Sequence, residues 1–150
     1  MNNKRYLLIG MLLCSLVLVS AVGWAANQQE QMELTANEMV LDDLNSKVTA
    51  IGEVTFKRPG VTLECNELVG RQNLDKIEAT GDVVVEQDSG RLEAQRLELD
   101  SASQWATLTG NPRLIRDKSI IKGDKFRINM ETDYLEVIGN AHLEEQEQNI

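Results

Sequence analysis

Four glycines, Gly52, Gly81, Gly110 and Gly139, stand 29 residues apart with no insertion in any of the intervals between them. A fixed period of this size marks a supersecondary unit that is repeated and stacked, because one such unit cannot bury its apolar side alone. Around each glycine the alternation of apolar and polar residues is strict. The apolar columns read Val48, Ala50, Val54, Phe56; Ile77, Ala79, Val83, Val85; Ala106, Leu108, Pro112, Leu114; and Leu135, Val137, Ala141, Leu143. Successive side chains of a strand point to opposite faces, so these columns define one surface and predict a long, half-buried strand in every unit. A glycine inside such a strand marks a bend, a close approach of another backbone, or a bulge. Local sequence leaves these readings open.

A second segment precedes every glycine strand at the same spacing: LTANEMVLD (34–42), LECNELVG (63–70), LEAQRLELD (92–100) and IKGDKFRIN (121–129). Its apolar or small positions advance by two, three and two, as in Leu63, Cys65, Leu68 and Gly70. A step of three reverses the facing of an ideal strand, so holding these residues on one surface requires a bulge or a corner. Turn-forming stretches such as KRPG, EQDSG, RQNLDK and DSASQ join the two kinds of strand. Short links favour antiparallel neighbours over helical crossovers, and no segment has helical periodicity. The expectation is an all-β domain over residues 26–145, built from about four bent strand pairs, with a polar tail at 146–150.

Residues 1–25 differ in kind. The basic start MNNKR and the apolar run YLLIGMLLCSLVLVSAVGWA have the layout of a secretory signal, with small residues allowing cleavage after Ala25 or Gly23. The alternative is an uncleaved anchor, since Tyr6–Ala25 is long enough to span a bilayer. Cleavage, which would release an exported soluble domain, is the expectation; an uncleaved segment would hold the chain at the membrane. Beyond the signal only Cys65 remains, so no internal disulfide forms. Its place in a column otherwise filled by Ala36, Ala94 and Gly123 reads as a small buried residue. The formal net charge is −9, and without Lys4 and Arg5 the remainder is more negative still. That acidity argues against a nucleic-acid partner, whose phosphates need a basic face.

Enzymatic readings find little support. One histidine, His142, falls on the outward register, and no Cys/His cluster, phosphate-binding loop or catalytic triad set is present. The acids are spread over every repeat rather than converging as a glycosidase pair. No cofactor or metal is expected.

The stretches KIEATGDVVVEQDSGRLEAQRLELD and LEVIGNAHLEE resemble the OstA-type repeat, with its A-x-G-x-V and L-x-A-x-x-L-x-L-D strands. The resemblance covers about residues 32–145 and is to the OstA-like, or LptA, family of lipopolysaccharide export proteins. It implies an open, V-shaped β-jelly roll whose apolar interior shelters the acyl chains of lipopolysaccharide during passage between the membranes. The residues alone leave a closed core equally open. On the groove reading, the lipid-binding candidates are Leu34, Phe56, Leu63, Val83, Val85, Leu92, Leu97, Leu114, Ile121 and Phe126. Lys57, Arg58, Lys122, Lys125 and Arg127 are candidates for anionic head groups, or simply solvated. The implied partners are an LptC-like inner-membrane protein, an LptD-like outer-membrane protein and further copies of the chain, all joined through edge strands. The cleavable signal and compact length favour an LptA-like member over an anchored LptC-like one. Pro112 departs from the repeat and puts strand pairing there in doubt, because proline has no donor for a ladder.

Overall fold

The computed structural model describes residues 31–146. The segment read as a signal and the end of the polar tail lie outside them. Twelve strands, and no helix, occur among the described residues: β1 (Glu33–Thr35), β2 (Glu38–Asp42), β3 (Lys47–Arg58), β4 (Val61–Arg71), β5 (Lys76–Gln87), β6 (Gly90–Asp100), β7 (Trp105–Thr109), β8 (Arg113–Arg116), β9 (Ser119–Lys122), β10 (Lys125–Asn129), β11 (Tyr134–Ile138) and β12 (His142–Glu145). All pairings are antiparallel between neighbours in the repeat order, and the sheet does not close into a barrel.

Each bent pair spans a corner, and β3–β6 run through it without interruption. One layer contains, in order, β1, one half each of β3, β4, β5 and β6, then β8, β9 and β12. The other contains β2, the remaining halves of β3–β6, then β7, β10 and β11. The 29-residue units are thus bent ribbons stacked side by side, two rows of strand to a unit.

The corner geometry answers what the glycines do. In the β5–β6 pair, Thr80 stands opposite Arg96 and Val83 opposite Ala94, so Gly81 and Asp82 together face Gln95 alone. Gly81 has φ +79° and Asp82 φ +47°, a left-handed pair that bends the strand and absorbs the extra residue. The same pair of left-handed residues recurs at Gly52–Glu53, Gly110–Asn111 and Gly139–Asn140. On the facing strand the step of three falls at the same height, so both columns stay inside. The bulge and the bend are one feature.

Pro112 lies in the break between β7 and β8, outside both strands, and its side chain is fully buried. A missing donor removes no ladder bond there.

The inner columns form a single core. Phe56, Leu63, Val85 and Leu92 from one layer pack with Leu68, Ile77, Leu97, Leu108 and Phe126 from the other. No polar or charged residue among those described is buried. The outer faces carry cross-strand ion pairs instead, including Arg91–Glu86 at 2.9 Å, Arg96–Glu78 at 3.2 Å and Lys76–Asp100 at 3.3 Å. Such exposed pairs each contribute little to stability.

Candidate functional site

All ten residues singled out from the repeat columns fall in one cluster. Phe56, Leu63, Val83, Val85, Leu92, Leu97, Leu114 and Phe126 are buried core members, while Leu34 and Ile121 are partly buried and packed against them. Their burial is not uniform in meaning. Phe126 is 0% exposed and Val83 1%, so both are sealed by neighbouring side chains.

Between the layers lies a cavity of about 190 Å³. Val85 and Leu92 line it from one layer, Leu97, Leu99, Ala106, Leu108 and Ile128 from the other, and Val61 and Met130 from the strand ends. Arg58, Gln87 and Asp133 complete the lining with polar groups. Three of the ten candidates, Val85, Leu92 and Leu97, therefore touch open space; of the other seven, five are buried core residues, and Leu34 and Ile121 are partly buried against that core. Val61 and Met130 escaped the column reading because Val61 directly follows a turn and Met130 lies just beyond β10.

The basic candidates separate. Arg58 lies on the inward register of β3 and reaches the cavity. Lys122 and Arg127 instead hold Glu144 at 3.4 Å and Glu136 at 3.2 Å. Arg127 also covers the Trp105 ring, with its guanidinium carbon 4.7 Å from the centroid, and Tyr134 meets that ring edge-on at 6.4 Å. Lys57 is exposed.

Cys65 is a free, buried thiol. Burial raises its pKa from the ordinary 9.0 to about 11, with the charge of Glu67 adding to the rise and a backbone hydrogen bond opposing it. It is a packing residue, not a nucleophile poised for reaction. His142 is exposed, as its outward register required. Among the described residues no group of three or more His, Cys, Asp or Glu side chains is placed to hold a metal ion.

The arrangement offers apolar contact area and shelter from water, and its polar groups stand at the ends of strands. A cavity near 190 Å³ exceeds the roughly 150 Å³ that accommodates a benzene-sized group.

Comparison with known proteins agrees with this architecture. The crystal structure of LptH, the LptA-homologous periplasmic component of the lipopolysaccharide transport device of Pseudomonas aeruginosa, superposes with a TM-score of 0.72 at 12% identity, over 81% of this chain and 99% of that one. At that identity the likeness is one of fold. No curated protein sequence matches the chain. The family described as LptA/(LptD N-terminal domain) LPS transport protein matches residues 33–134. That match spans well over half of the chain, which therefore belongs to the LptA/LptD N-terminal-domain family of lipopolysaccharide transport proteins.

Proposed function

We propose that this protein is a periplasmic bridge component that shelters the acyl chains of lipopolysaccharide between its two layers on the way from the inner to the outer membrane. The observation that carries the reading is an inter-layer interior built from aliphatic columns and containing no buried charge among the described residues, with a cavity already present at Val85, Leu92 and Leu97. Each methylene withdrawn from water contributes about 0.8 kcal/mol. Much of that gain only replaces what the lipid had in its membrane. The groove therefore makes passage possible without driving it, and energy enters from elsewhere in the pathway.

On this reading Leu34, Phe56, Leu63, Val83, Val85, Leu92, Leu97, Leu114, Ile121 and Phe126 contact the chains as the layers part. Arg58, at the polar end of the cavity, meets an anionic group of the lipid. The edges β1–β2 and β11–β12 join the molecule to an LptC-like protein on the inner-membrane side, to an LptD-like protein on the outer-membrane side, and to copies of itself between them. Unpaired strand edges accept other strands in this manner.

Photoreactive residues at Phe56 or Val85 should crosslink to lipopolysaccharide in cells, and residues at Thr55 or Glu86, on the opposite register, should not. Equal labelling of both pairs would show that the interior is a sealed core and that the chain is a structural repeat protein without lipid.

A further inference from the structure

Among the described residues both ends of the sheet are open: β1 and β2 pair only with β3, β12 only with β9, and β11 only with β10. Seven of the nine large hydrophobic residues exposed among those described lie in or directly beside these strands, among them Met39, Leu41, Ile138 and Leu143. An edge that combines unpaired backbone with apolar side chains is suited to strand addition.

The repeat supplies the register for such an addition. β11–β12 stands two units after β5, and β1–β2 stands two units before β6. A second copy laid against β11–β12 in the β5–β6 register sets Leu135 opposite Leu41, as Ile77 stands opposite Leu99, and Val137 opposite Met39, as Ala79 stands opposite Leu97. The apolar columns match throughout.

The outer face does not match. Inside the molecule Glu86 is held by Arg91 at 2.9 Å and Glu78 by Arg96 at 3.2 Å. The edge equivalents of those two acids are Glu144 and Glu136, but the positions of Arg91 and Arg96 are taken in β1 and β2 by Glu33 and Glu38. Self-pairing therefore puts Glu33 directly opposite Glu144 and Glu38 diagonal to Glu136. Like charges so placed destabilise a strand pair. On the receiving side Lys122 lies 3.4 Å from Glu144 and Arg127 3.2 Å from Glu136, which offsets part of this, but residues 31–46 contain no lysine or arginine to partner Glu33 and Glu38.

We propose that the β11–β12 edge is built to receive a strand of a different protein that carries basic residues at the two positions filled internally by Arg91 and Arg96, and that like charge holds self-pairing in check. The proposal rests on the end-to-end reading above, makes self-association the weaker and salt-dependent of its contacts, and adds the chemistry of the preferred partner: an edge strand with the β6 pattern, apolar inward and basic outward.

Sedimentation velocity over a concentration series of the exported protein tests it. The unmodified protein should associate weakly in about 20 mM salt and about tenfold more tightly in about 500 mM, where the Debye length falls to a few ångströms. Glu33→Arg with Glu38→Arg should tighten association about tenfold in low salt and reverse the salt dependence. The control, Glu64→Arg with Glu67→Arg on β4, makes the same change in net charge away from the edges and should behave like the unmodified protein. The proposal is overturned if the edge variant associates no better than the unmodified protein, if the control gains as much, or if none of the three associates at all. Crosslinking at Phe56 is read separately, so lipid labelling that persists through such a failure leaves the transport reading standing and removes only the partner.

Discussion

Asn66 on β4 lies over Gly81 on β5 so closely that a Cβ built on the glycine would come within 2.6 Å of the Asn66 Nδ2. Asn37, Gln95 and Asp124 occupy the same place over Gly52, Gly110 and Gly139, and a Cβ on Gly52 or Gly110 would come within 2.8 Å and 2.5 Å of its neighbour. The recurring glycine therefore meets two demands, a left-handed backbone and an absent side chain.

Gly60 separates those demands, because it also has a positive φ, +77°, but a Cβ there would meet nothing within 4 Å. Gly60→Ala should cost about 1 kcal/mol, from backbone conformation alone. Gly81→Ala should cost roughly 2–4 kcal/mol, since the overpacked Asn66 must also shift. Urea denaturation of the two variants measures the difference, and equal losses would mean that the contact contributes nothing.

Cys65 gives a prediction at alkaline pH. Its folded pKa, about 11, is above the ordinary 9.0, so the neutral thiol favours the fold fully below 9 and that contribution is lost as pH rises toward 11. Denaturant midpoints should fall across this window, and Cys65→Ala should flatten the fall. At pH 8 the folded thiol should react with an alkylating reagent on the order of a hundredfold more slowly than the unfolded chain, as the lower thiolate fraction alone requires.

The turns respond to acid instead. Asp42 has a lowered pKa, chiefly through the hydrogen bond from the Asn45 side chain, 2.7 Å away. Burial raises that of Asp100, but hydrogen bonds from Lys76, Ser103 and Ala102 outweigh it and the net direction is down. Both groups stabilise the fold while ionised, above the ordinary 3.8, and lose that effect as pH falls through their lowered values. Asp42→Asn with Asp100→Asn should make stability less dependent on pH below 4, as thermal unfolding at several pH values will report.

Intact-mass measurement of the exported protein addresses the N-terminal segment. Loss of residues 1–25 is the expected result, and a chain that keeps them and fractionates with the inner membrane would assign it the anchored, LptC-like role.

Much of the fold could be read from the 29-residue spacing, because alternation and turn residues are local properties. The step of three in Leu63, Cys65, Leu68 required a corner, and the β4 pairings place one there. That Gly81 and Asp82 both turn left-handed was not readable, since an Asp at that place is as compatible with extended backbone. Pro112 marked its own unit as a place where pairing would change, but the division of the later units into β7–β8, β9–β10 and β11–β12 was not otherwise readable. At the site, the columns identified the inward faces of all ten candidates. Which of them border open space depends on the separation of the layers, and that is fixed jointly by side chains distant in sequence, such as Val61 and Met130.

The stacking of bent pairs also makes the protein a gauge of distance. Its eight rows, spaced about 4.8 Å apart, give a trough of roughly 34 Å along the direction of the backbone hydrogen bonds. Each further unit of 29 residues would add two rows, or about 10 Å, while leaving both ends chemically unchanged. Reach and end chemistry are thus separate variables in this architecture: one is altered by duplicating a unit, the other by changing a few glutamates at the rim.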